Sequence, residues 1–276
     1  MIESYGISDV GMVRPGNEDN FKIDDQIGLY IVSDGMGGHL AGEVASQIVV
    51  DSIHGYIKKY KAEGLHESLL YAPYDDELSE EANVVQSSIN LANRMVLDIS
   101  RKDKDKRKMG ATVAILFFGE GRTVVANVGD SRIYLIRQNT INTVTRDHTL
   151  ASDQAYEHII EPNEVESSPY KHILTRVIGV DEEVKPDIFE LEIVPGDRFL
   201  LCSDGLTNMV ADDEIMEVIT AHKRPEKICQ VLVDMANQKG GEDNITVALV
   251  HYKHKPLERI FSFFSKPFKR GLPWRS

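Results

Sequence analysis

The chain has 276 residues, of which 42% are hydrophobic, and a formal net charge of −13. That length and apolar share allow one large domain or two small ones with a real core, while the acidic balance excludes a nucleic-acid-binding surface, which needs a basic stripe. Two cysteines, Cys202 and Cys229, build no disulfide framework, and neither a leader pattern nor an apolar run of membrane-spanning length is present, so the body is expected to be cytoplasmic.

In chain order, residues 2–10 and 20–23 read as short strands around the turn Arg14-Pro15-Gly16-Asn17-Glu18-Asp19. The apolar run Leu29-Tyr30-Ile31-Val32 is too short for a lone helix and reads as a buried strand, delivering Ser33-Asp34 into Gly35-Met36-Gly37-Gly38-His39. Helical spacing of Ala41, Val44, Ala45, Ile48, Val49, Ile53, Tyr56 and Ile57, and again of Ala82, Val85, Ile89, Ala92, Val96 and Ile99, predicts two long amphipathic helices. Strands follow at 112–118, 123–128, 132–137 and 141–145, joined by hairpin-length connections and therefore antiparallel. Residues 150–171 are polar and weakly periodic and read as a flap with a short helix. Strands at 188–193, 199–203 and 245–252, with helices at 212–221 and 225–237, complete the chain. Strands in succession with paired helices argue for two antiparallel sheets face to face with helices outside, and against the regular alternation of a doubly wound parallel sheet.

Four aspartates stand at strand ends rather than on solvated helix faces: Asp34, Asp130, Asp204 and Asp243. Two of them repeat one design, since Phe199-Leu200-Leu201-Cys202 also delivers Ser-Asp-Gly into a turn. Carboxylates brought together at a partly buried rim repel one another unless cations neutralise them, and oxygen ligands without His or Cys suit Mg²⁺ or Mn²⁺ rather than Zn²⁺. An isolated Asp-Gly is first a turn signal, and Asp181 and Asp197 are left as turn residues. A cysteine phosphatase needs Arg six residues after its Cys, where Cys202 has Asn208, and Gly35-Met36-Gly37-Gly38-His39-Leu40 lacks the Lys-Ser/Thr of a nucleotide loop.

These residues resemble the metal-dependent Ser/Thr protein phosphatases of type 2C, in a bacterial form. The match comprises Gly11-x-x-Arg14-x-x-Asn17-Glu18-Asp19, Ser33-Asp34-Gly35-Met36-Gly37-Gly38, Met109-Gly110-Ala111-Thr112, Ala126 to Arg132, Asp147-His148, Leu174-Thr175-Arg176, Cys202-Ser203-Asp204-Gly205-Leu206 and Asp243-Asn244-Ile245-Thr246, in family order. The resemblance implies an α/β/β/α sandwich with a binuclear Mn²⁺ or Mg²⁺ site at the sheet ends. Asp34 would bridge both ions, the Gly35 carbonyl would hold one, and Asp204 and Asp243 the other. Glu18 or Asp19 would act through water, Asp130 with Asp204 would take a third, weaker ion, and Arg14 would clamp the substrate phosphate. A water activated between the ions would attack phosphoserine or phosphothreonine in line, without a phosphoenzyme, opposing a bacterial Ser/Thr kinase. Some members carry a His where this chain has Met36, so water becomes the preferred proton donor, with His39 and His148 as lesser candidates.

Two alternatives differ in class or in partner: a catalytically silent module that binds phosphoproteins or a kinase, and a phosphatase dedicated to one anti-sigma-type regulator. The expected division is a catalytic domain over residues 1–254 and a tail over 255–276. That tail has a local charge of +5 and mixes bases with Phe261, Phe263, Phe264 and Phe268, a pattern of membrane-surface or partner-docking segments.

Overall fold

The structure, a computed structural model, describes residues 1–38, 40–65, 70–103, 106 and 108–253. The expected tail over 255–276 and His39 lie outside the described residues.

One five-stranded antiparallel sheet has the order β1-β12-β11-β8-β9, with β1 at Ile2–Asp9, β8 at Arg132–Arg137, β9 at Thr140–Thr143, β11 at Arg198–Cys202 and β12 at Ile245–Tyr252. The other has the order β10-β7-β6-β3-β2, with β2 at Asn20–Asp24, β3 at Leu29–Ser33, β6 at Val113–Phe118, β7 at Thr123–Val128 and β10 at Asp187–Leu191. A two-residue pair, β4 at Gly35–Met36 and β5 at Gly110–Ala111, sits beside them.

Side-chain alternation along each strand builds three layers of core. Tyr30 and Val32 of β3 face the partner sheet, meeting Phe199, Leu201, Ala248 and Val250. Leu29 and Ile31 point the other way, beneath helices α1 (Leu40–Glu63) and α2 (Glu80–Lys102). On the far side Leu200, Val247 and Leu249 lie beneath α5 (Asp212–Ala221) and α6 (Pro225–Gln238). The expected four-layer sandwich is therefore present. Ser79 caps α2, its hydroxyl accepting from the Ala82 amide at 3.2 Å, and Pro225 opens α6 where a missing N–H is harmless.

Strand ends differ from the sequence expectation for identifiable reasons. The β9 strand stops at Thr143 because the Thr145 hydroxyl, rather than a backbone carbonyl, accepts the Ile133 amide at 3.0 Å. β10 stops at Leu191, and the following turn is closed by Asp197, which accepts the Val194 amide at 2.8 Å. Asp197 is more than a turn residue, since it is 1% exposed and takes a two-point bond from Arg137 at 2.8 and 2.6 Å. Asp204 begins a short helix, α4 (Asp204–Thr207), where a turn was expected. The flap carries α3 (Leu150–Tyr156) and a 3-10 turn at Pro162–Glu164, and a bridge between Thr149 and Leu174 closes its base. Both cysteines are buried and unpaired. Among the described residues, no helix is long and apolar enough to cross a membrane.

At the start of α4 the backbone runs against β12: a Cβ on Gly205 would lie 2.0 Å from the Asn244 carbonyl oxygen. Gly205→Ala is expected to lower stability by about 3 kcal/mol, in the upper range for overpacking. Gly55→Ala is the contrasting case, because Gly55 stands at an exposed position of α1 with open space around its Cβ position, and it should raise stability by about 0.5–1 kcal/mol. Urea unfolding of both variants checks the pair of signs.

Candidate metal centre

The sheet ends that carry the Ser-Asp-Gly repeats meet at one cleft of about 520 Å³, whose lining includes Arg14, Glu18, Asp34, Gly35, Asp130, Asp204 and Asp243. Every carboxylate expected at the site thus reaches this cleft except Asp19, which lies buried beneath it.

The place of Asp34 is fixed by backbone rather than by its own side chain. Its amide donates to the Thr112 hydroxyl at 3.0 Å and its carbonyl accepts from the Thr112 amide at 2.8 Å. The Thr112 hydroxyl also pairs with Ser131 at 2.7 Å, so the Met109–Thr112 block serves as a brace between the Asp34 and Asp130 turns. The Gly35 amide donates to the Glu18 carbonyl at 3.1 Å, and a Cβ on Gly35 would meet the Gly42 carbonyl oxygen at 2.1 Å. Only glycine fits there.

Asn244 performs the matching task on the other sheet. Its side-chain amide donates to the carbonyls of Val10 and Gly16, each at 2.9 Å, and its oxygen accepts the Glu18 amide at 2.8 Å. The loop that carries Arg14 and Glu18 is thereby tied to the residue after Asp243. Arg14 donates to Asp243 at 2.6 Å while remaining half-exposed at the mouth. It pairs with Asp243 rather than with the nearer-in-sequence Glu18.

Asp19 is held by two hydroxyls, those of Ser203 and Thr246, each donating to Oδ2 at 2.7 Å. Burial pushes its pKa up to about 7 against those two bonds, with the charges of Asp204 and Asp243 adding to the rise. Burial also lifts Asp34 well above the ordinary carboxylate range, helped by Asp19, Asp204, Asp130 and Asp243. Asp130 is pushed up to about 8 by burial, then by Asp204 and Asp147. Asp204 is raised by burial and by Asp243, although Asn208 donates to it at 3.0 Å.

The donor set fits hard divalent cations. Oδ1 of Asp19 and Oδ1 of Asp204 are buried without a hydrogen-bond partner, and such groups call for a proton or a cation. The converging groups are oxygens throughout, as Mg²⁺ and Mn²⁺ prefer. Among the described residues no three His, Cys, Asp or Glu side chains close into a ready-made cage.

His148 has a structural task. Fully buried, it accepts the Gly129 amide on Nδ1 at 3.2 Å, so Nε2 carries the proton that faces Asp187 at 3.2 Å. Burial alone would raise Asp187, but His148 and Arg176 outweigh it and hold the carboxylate below its usual range. The Asp147-His148 and Leu174-Thr175-Arg176 blocks accordingly anchor the flap: Arg132 grips Asp147 with two nitrogens at 2.7–3.1 Å, and Arg176 grips Asp187 at 2.6 Å. Sequence reasoning missed the hydroxyls of Ser203 and Thr246 and the hub at Asn244, although all three stand inside the motif blocks. It also gave no role at the cleft to Lys171 and His172, which line it from the flap.

Comparison with known proteins agrees with this geometry. Residues 7–245 match the model of the family described as Protein phosphatase 2C. The serine/threonine phosphatase stp of Listeria monocytogenes serotype 4b is 36% identical over 246 residues, covering 88% of this chain and 93% of that protein. The Mycobacterium tuberculosis serine/threonine phosphatase PstP/Ppp superposes with a TM-score of 0.80 at 30% identity, covering 92% of this chain and 99% of its own. A catalytic domain of PstP solved with two manganese ions superposes with a TM-score of 0.75, also at 30% identity and with the same coverages. The chain belongs to the protein phosphatase 2C family and is a metal-dependent protein serine/threonine phosphatase.

Proposed function

We propose that the chain removes phosphate from phosphoserine and phosphothreonine of cytoplasmic proteins by direct transfer to water, in opposition to a bacterial Ser/Thr kinase. The observation that carries this reading is the convergence of part-buried carboxylates from both sheets on one open cleft. Asp34, the Gly35 carbonyl, Asp204 and Asp243 would hold two ions of Mn²⁺ or Mg²⁺, and Asp130 with Asp204 a third. When bound, such ions lower the pKa of water and offset the charge of the transferring phosphoryl group.

The residues of the chain supply positioning. Glu18, which lines the cleft, or Asp19 beneath it would orient water there. Arg14 offers the mouth a planar fork suited to phosphate oxygens, and its bond to Asp243 keeps that fork in place. Attack by water is the reading the family membership supports, and Cys202, fully buried and outside the lining, offers no thiol nucleophile there. Met36 supplies no proton and His148 is committed to the flap; water is the preferred donor to the departing alkoxide. A tail over 255–276 would either dock, at a membrane surface or a protein partner, or pack its aromatics on the catalytic domain expected over 1–254.

Metal-stripped protein should be inactive on a phosphothreonine peptide and recover with Mn²⁺. Asp34→Asn and Asp204→Asn should each lower kcat by about 100-fold or more while remaining folded. Full activity without divalent ions would contradict the reading. Removal of residues 256–276 should leave metal-dependent hydrolysis of the same peptide intact; an unfolded truncation would instead mean that the tail packs on the body.

A further inference from the structure

We propose that Lys171 selects phosphopeptides carrying a carboxylate beside the phosphorylated residue, a selectivity that rests on the phosphatase reading above. The cleft lining is acidic, and the chain as a whole has a net charge of −13. An acidic peptide approaching this surface is repelled unless a local cation meets it. Arg14 is engaged with Asp243 at 2.6 Å, whereas Lys171 comes from the flap and borders both the main cleft and a side pocket beneath the flap.

The backbone of Lys171 is fixed while its charge stays available. Its amide donates to the Ser168 carbonyl at 3.3 Å, and two residues on, Ile173 accepts the Leu150 amide at 2.8 Å at the flap base. Glu166 lies 3.5 Å from Arg132, which is itself locked on Asp147, and 4.0 Å from the Lys171 ammonium. That last separation exceeds hydrogen-bond length, so the ammonium is not bonded to Glu166 and can serve the cleft that Lys171 borders. Lysine presents a compact charge on a flexible stem rather than a fixed fork. It therefore reads the sign of a neighbouring side chain and tolerates variation in its position, while the phosphate is read by the aspartates and Arg14.

The test is kcat/KM of the full chain with Mn²⁺ on matched phosphothreonine peptides bearing Glu or Lys at the flanking positions on either side, with p-nitrophenyl phosphate as a third substrate. Wild type should prefer the Glu-flanked peptide by roughly two- to five-fold, as a partly exposed ion pair allows. Lys171→Met should erase the preference and Lys171→Glu should invert it, an inversion that a purely structural role of Lys171 does not produce. A wild type without preference, or a preference unchanged in Lys171→Glu, would overturn the proposal. Failure of wild type on every peptide and on p-nitrophenyl phosphate would overturn the phosphatase reading itself, and the proposal with it.

Discussion

The rest of the structure is arranged around the mutual repulsion of carboxylates. Asp34, Asp130, Asp204 and Asp243 arrive from different strands at one cleft, with Asp19 buried beneath them, and each of the first three is raised by burial and by its neighbours. Folding them together costs free energy that apolar packing in three layers must offset. Divalent cations would turn that cost into a binding site, because the same field that disfavours five carboxylates favours ions among them.

Repulsion would spread the cleft if its walls were compliant, and the hydrogen-bond network shows why they are not. Thr112 holds Asp34 through both its hydroxyl and its amide. Asn244 ties the Arg14 loop to the start of β12 at three points. The close backbone approaches at Gly35 and Gly205 leave no room for a Cβ, so the strands that deliver Asp34 and Asp204 are locked where they end. The flap is fastened differently, by ion pairs on Asp147 and Asp187 around the buried His148. Its base is rigid, while Glu166 is largely exposed at 71%.

Much of this was legible in the sequence because it depends on local pattern. Period-two alternation and short connections identified the sheets, 3.6-residue spacing identified α1, α2, α5 and α6, and apolar runs ending in Ser-Asp-Gly marked the rim. What could not be read were interactions between distant blocks. The hydroxyls of Ser203 and Thr246 meet Asp19 across 184 and 227 residues of chain, and nothing in the local pattern of either residue signals that contact. The pairing of Arg14 with Asp243 rather than Glu18 is of the same kind, as is the committed role of His148. β4 and β5 were missed because two-residue strands carry no periodicity, and Asp197 because an Asp in a Pro-Gly-Asp turn gives no sign of a buried arginine partner.

The most direct measurement is thermal unfolding of wild type and Asp34→Asn, each with and without Mn²⁺. If carboxylate repulsion governs the site, removing one charge leaves the metal-free protein as stable or more stable, while the rise in Tm that Mn²⁺ gives the wild type shrinks or disappears. A metal-free Asp34→Asn protein less stable than metal-free wild type, or a wild type whose Tm ignores Mn²⁺, would contradict it.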